Sequence, residues 1–254
     1  MSDHPFYADA TVWQGAAAVA ALVLSQLPPI KLWFRRGKLD VECFDRIALK
    51  HDVGAAAAEM HVTITNTGGA DVRVKRISLN VTRGTERREL DARGFYEKGT
   101  DKQATLFTPF TLKPKESWGY NLNFFKFASR EVRQEYSTHA HALRMDIARK
   151  AAARDADPQA RANGALVEAE PALVEPLLAL FDAQFFWRTG EYQIELVIET
   201  DKPAVNTSRK FRCTLFDAES ERLRVHRDHL KHGNGVFWFA YPVEPYIAEI
   251  QSVP

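Results

Sequence analysis

The residues best suited to chemistry lie in one short stretch, Val-His-Arg-Asp-His-Leu-Lys-His-Gly at 225–233. Two imidazoles three positions apart on a helical turn can share a zinc or iron ion, and a nearby carboxylate adds an oxygen ligand. His226, His229 and Asp228 are therefore the candidate metal set, with His232 one turn further on. Arg224, Arg227 and Lys231 surround them, and their positive charge opposes a bound cation. His139 and His141 are two apart, so a helix would place them on different faces. No His-Glu-x-x-His, phosphate loop, dinucleotide glycine fingerprint or Gly-x-Ser-x-Gly elbow is present. The sequence thus names no cofactor and no catalytic residue. A metal-dependent enzyme built on 226–232 stands as the alternative to a binding role.

A second cluster is aromatic. Phe237, Trp238, Phe239 and Tyr241 follow Gly233-Asn234-Gly235. As a strand, this run would either close the fold with both faces packed or expose Phe237, Trp238 and Tyr241 to a protein partner, since Trp and Tyr dominate interface hot spots. Pro242, Pro245 and Pro254 should stop the tail from continuing as a regular strand. Cys43 and Cys213 both alternate with apolar neighbours, which reads as two small buried residues, with a single disulfide between them as the alternative.

The elements that must position these residues begin with an N-terminal segment. Ala10 to Ile30 is 21 residues without a charge, about 30 Å as a helix and so about the thickness of a bilayer core. Trp13 and Trp33 mark its ends as interfacial aromatics do, Leu22 and Leu24 supply apolar bulk, and Arg35 and Arg36 belong to a basic flank. That flank predicts a single-pass anchor over 1–37 with the main domain, 38–254, on the cytoplasmic side. Six alanines and Pro28-Pro29 weaken the span. The alternative is a soluble cytoplasmic subunit whose first helix docks into a larger complex.

From Leu39 onward the period is two. Met60, Val62 and Ile64 alternate with polar residues up to the Asn66-Thr67-Gly68-Gly69 turn, and Tyr192, Ile194, Leu196 and Ile198 alternate further on. Val72 and Val74 share one phase and Ile77, Leu79 and Val81 the other, which requires a β-bulge near Lys75-Arg76. Half-buried strands with polar outer faces imply a mainly β, antiparallel sandwich. Between them, Val132, Tyr136, Ala140, Leu143, Ile147 and Ala151 predict an amphipathic helix. Leu173, Leu177, Leu180 and Phe181 predict a second, kinked or split at Pro176. Together they form a helical hairpin inserted at about 129–186.

The segments V-T-I-T-N-T-G-G-A-D-V (62–72), T-L-K-P-K-E-S-W (111–118) and T-G-E-Y-Q-I-E-L (189–196) resemble an immunoglobulin-like β-sandwich of the adhesion-type or arrestin-like kind found in bacterial proteins. The resemblance implies a tyrosine corner at Tyr192 and carries no catalytic residues. A net charge of +1 gives no basic face for nucleic acid. The expectation is a non-enzymatic, membrane-tethered β-sandwich that binds a protein partner or assembles into a membrane-associated complex.

Overall fold

The computed structural model describes residues 13–14, 36–98, 103–164, 166–236 and 244–253. Leu22, Leu24, Trp33 and Arg35 of the expected anchor lie outside them, as do Phe237, Trp238 and Tyr241 of the expected aromatic strip. Trp13 is exposed, and Arg36 is exposed where the folded domain begins. Among the described residues no helix is long and apolar enough to cross a membrane.

The first half of the domain is all strand. β1 (Leu39–Cys43) and β2 (Arg46–Asp52) lead to the long β3 (Ala55–Asn66), then β4 (Val72–Arg83) and β5 (Glu86–Tyr96). The short β6 (Thr105–Leu106) and β7 (Phe110–Leu112) precede β8 (Ser117–Phe125). The helical insertion follows as α1 (Arg130–Ala156), α2 (Pro158–Ala162) and α3 (Pro171–Gln184). β9 (Gly190–Thr200) and β10 (Thr207–Leu215) resume the sheet. Two short helices, α4 (Asp217–Arg224) and α5 (His226–His229), come before β11 (Tyr246–Glu249) and β12 (Gln251–Val253).

Every ladder is antiparallel, and they join into one continuous sheet in the order β11-β2-β3-β8-β5-β4-β9-β10-β12. β1 shares the β2 side of β3. The sheet curls until it is nearly closed, like a barrel. Its two edges are bridged by the C-terminal residues, β11 lying on β2 and β12 on β10. Ile250 sits between those strands, buried, with its N–H donated to the Asp45 carbonyl at 2.9 Å. Pro245 therefore does not end strand structure in the tail; pairing resumes at Tyr246 on β2 and at Gln251 on β10.

The bulge demanded by the β4 pattern is present, as a register shift against β9 between Val74 and Arg76. It keeps Val72, Val74, Ile77, Leu79 and Val81 all fully buried. α1 buries Ala140, Leu143 and Ile147 and half-buries Val132, Tyr136 and Ala151, the face its spacing predicts. Pro176 does not split α3, which runs unbroken to Gln184. Proline costs one backbone hydrogen bond, and the burial of Val174, Leu177, Leu180 and Phe181 holds the helix in place against that loss. Tyr192 is fully buried, and its hydroxyl donates to the Arg188 carbonyl at 2.5 Å, with the Phe186 carbonyl at 3.0 Å. Cys43 and Cys213 are free thiols, not a disulfide.

Candidate functional site

The helical insertion caps one end of the barrel, and the β2–β3 hairpin fixes how close it sits. The tip of that hairpin is Val53-Gly54, with φ of 44° and 86°. Two left-handed residues in a two-residue loop match the twist of an antiparallel pair, but a β-branched residue such as Val53 is strained there. Gly54 is obligatory for a second reason. A Cβ at this position would collide with the Phe181 carbonyl oxygen, so the tip is pressed against the end of α3.

Behind the tip lies His51, buried between Phe181 and Phe185 with edge-on ring contacts at 5.2 and 5.9 Å. Its Nδ1 accepts the Gly54 N–H at 3.3 Å, which leaves the proton on Nε2 to be donated to the Leu223 carbonyl at 2.7 Å. Burial lowers the His51 pKa, and the Leu223 carbonyl only partly opposes this. Trp187, fully buried, donates its indole N–H to the Lys50 carbonyl at 2.5 Å and accepts Ser220 Oγ on its own carbonyl at 2.9 Å. One backbone stretch, Lys50–Gly54, is thus held by the insertion on one side and by α4 on the other.

In front of the tip, between α1 and the end of β8, a cleft encloses about 430 Å³. Ala55, Ala57, Phe125, Val132 and Leu180 give it apolar walls, Tyr136 stands at one side, and Asp52 and Val53 form the lip. Phe127, exposed at the rim, packs edge-on to Phe125 at 5.2 Å and lies under the Arg93 guanidinium at 4.9 Å. Lys126 and Arg133 are exposed at the opening. Burial raises the Tyr136 pKa, and the nearby Asp52 charge adds to the rise while Arg144 opposes it. Burial of the Asp52 carboxyl against these walls raises its pKa too, although the residue's outer atoms stay in water. Tyr136 is accordingly a protonated hydroxyl rather than a nucleophile, and its O–H is directed at the Gly235 carbonyl at 3.5 Å. The arrangement can hold apolar groups against its walls and present the Asp52 carboxyl and two cations at its mouth.

The histidines singled out in the sequence lie on the far side of His51. The His226 ring is 5.6 Å from that of His51 and 6.3 Å from that of His229. Burial, then the two neighbouring imidazoles, pushes the His226 pKa down to about 4, and its Nδ1 is buried without a hydrogen-bond partner. Arg227 is turned away onto Asp182 of α3, with paired hydrogen bonds of 2.9 and 2.8 Å, and the Asp228 side chain points to solvent. His232 Nδ1 lies 3.1 Å from the Val167 carbonyl. Among the described residues no three His, Cys, Asp or Glu side chains come together as a metal-holding group, so the expected His226–Asp228–His229 set is not assembled. The α5 segment serves to dock α3 through its arginine, while its histidines pack behind the hairpin. Burial likewise drives the thiols up, Cys43 to about 11 and Cys213 to about 12, which leaves both protonated and poorly nucleophilic.

The sequence reading missed this cleft, although a signal was present. Ile47, Leu49 and His51 alternate inward before Asp52-Val53-Gly54, a strand running into a turn. No protein-family model matches the chain, and neither a curated protein nor a solved structure matches it.

Proposed function

We propose that the protein is a non-catalytic binding or assembly component, tethered to a membrane by its N-terminal hydrophobic segment, that receives apolar side chains of a partner protein in the cleft beneath α1. The observation that carries this reading is the cleft itself: apolar walls, a rim phenylalanine, and two exposed cations at its mouth. Aromatic anchors in apolar pockets rimmed by charge dominate protein–protein recognition. The immunoglobulin-like kinship belongs to the same proposal. The Asn66 turn and the Tyr192 corner support it, and such domains commonly work by contact rather than by reaction.

Phe127→Asp tests the cleft, because the side chain is exposed and its loss leaves the core intact. Co-purification from solubilised membranes should lose the partner at least tenfold while thermal stability stays unchanged; equal recovery of the same partner would remove the cleft from the reading. Ala20→Arg tests the tether, since an arginine at the centre of a span costs about 3 kcal/mol. Retention on carbonate-washed membranes should fall, and unchanged retention would count against a spanning helix. Release of the wild-type chain by high salt would favour the soluble-subunit alternative.

A further inference from the structure

The opposite end of the barrel has the composition of a lipid-facing surface. The chain arriving from the hydrophobic segment joins the domain there: the Arg36 carbonyl accepts the Gly69 N–H at 2.9 Å, and the Lys38 carbonyl accepts the Thr67 N–H at 2.8 Å. Asn66, fully buried, ties this corner to the β7–β8 turn by donating to the Leu112 carbonyl at 2.9 Å, and its own carbonyl accepts the Lys115 N–H at 2.8 Å. Beside the corner lies a run of rings. Phe110 stacks on Trp118 at 4.5 Å, Trp118 meets Tyr120 at 4.9 Å, and Phe107 meets Phe110 at 6.1 Å. All four are only half-buried, and the adjacent Leu106 is 78% exposed.

The charges at this end are arranged with the same bias. Arg36, Lys38, Lys113 and Lys115 are exposed, and none forms an ion pair among the described residues. Of the carboxylates nearby, Asp71 is exposed and sets one negative charge against these four cations, while three others are engaged. Glu116 accepts the Lys113 N–H at 2.7 Å, Asp201 accepts the Arg73 N–H at 3.1 Å, and Asp40 faces the Arg209 guanidinium at 3.5 Å. Half-exposed Trp and Tyr rings with uncommitted lysines suit the headgroup layer of an anionic membrane.

We propose that this corner rests on an anionic bilayer surface, with Leu106 and the Phe107–Tyr120 rings at interface level and Lys113 and Lys115 on the headgroups. The inference rests on the tether reading, because the chain enters the domain at Arg36, beside this face. It fixes an orientation that the tether alone does not: the cleft, at the other end of the barrel, is turned away from the membrane and open to a partner.

The test uses the full chain in phosphatidylcholine nanodiscs with and without phosphatidylserine, reading hydrogen exchange over 104–118 and carbonate extraction from matching vesicles. Exchange should slow about tenfold on the anionic discs, and Lys113→Gln with Lys115→Gln should weaken the surface association by roughly thirtyfold. Leu106→Asp should have a similar effect without touching the lysines. Identical exchange in both discs together with carbonate-resistant retention would overturn the lipid-facing corner and leave the tether standing. Protection on anionic lipid that carbonate abolishes would keep the corner and defeat the tether. No association with either disc would overturn both.

Discussion

The two ends of the barrel are closed by different means, and the contrast separates packing from adaptability. At the capped end, Gly54, His51 and Trp187 are sealed beneath α3 and α4, with the His51 and Trp187 ring N–H groups bound to main-chain carbonyls. At the other end a single buried asparagine gathers three chain segments, and the apolar residues beyond it stay half-open. Around Gly54, His51 and Trp187 the first end has little room to repack, so changes at those residues should be felt as stability. The second can lose a surface side chain at small cost, which suits a face that exchanges water for a ligand.

The largest effect should come from Gly54→Ala. It combines a left-handed backbone with a steric collision against the α3 main chain, neither of which a side-chain adjustment can relieve. We expect a loss of about 3 kcal/mol or more in chemical denaturation. Gly84 makes the control. Its φ of 56° is also left-handed, but nothing lies within 4 Å, so Gly84→Ala should lose about 1 kcal/mol from conformation alone. Equal losses at the two glycines would mean that the hairpin tip is not pressed on α3.

Asn66→Ala comes next. It deletes donations to the Ala70 and Leu112 carbonyls and an acceptor for the Gly68 N–H, in a fully buried position. Unmatched polar groups of this kind cost about 1–3 kcal/mol together with the lost bonds, so a loss of about 2 kcal/mol is expected. The change should also speed exchange in the β7–β8 turn before it affects α1. Tyr192→Phe is smaller still, about 1 kcal/mol, since only the hydroxyl bond to the Arg188 carbonyl disappears while the ring stays packed.

How much of this contrast was legible in the sequence depends on the range of the interaction. The β4 bulge and the buried face of α1 each follow from a pattern within about a dozen residues. The capped end does not. The β2–β3 hairpin carrying His51 and Gly54, the helix carrying Tyr136 and the helix carrying Leu180 are three distant segments, and only the curl of the sheet brings them together. The C-terminal bridge was hidden for another reason. β11 and β12 are four and three residues long, too short for a period to show, and two prolines precede them. Proline at 242 and 245 excludes strand pairing only where a backbone N–H is needed, and pairing begins at Tyr246. The histidine cluster shows the same limit of range: its spacing matches metal ligands, but spacing does not reveal that Arg227 pairs with the distant Asp182 or that His226 packs beside His51.

The last predicted effect is local and depends on pH, and it divides the capped end in two. His226 has a folded pKa of about 4 against an ordinary 6.5, and that of His51 is lowered as well. Between those values the unfolded chain binds the proton and the folded chain does not, so stability is lost as pH falls from about 6.5 towards 4. Protonating His51 would also abolish its acceptance of the Gly54 N–H. Asp146 titrates lower. Burial would raise its carboxyl, but hydrogen bonds from Lys150, Arg149 and the Glu170 N–H outweigh this and hold it at about 2. Its contribution to the α1–α3 junction is therefore present above 3.8 and lost as pH falls through about 2. Hydrogen exchange along 217–232 should accelerate in the upper window, and exchange at the start of α3 only in the lower one. His226→Gln should flatten the first step alone and Asp146→Asn the second alone. If both variants flattened both steps, the helices would open as one unit, and the hairpin tip would be a contact of the whole cap rather than of α3.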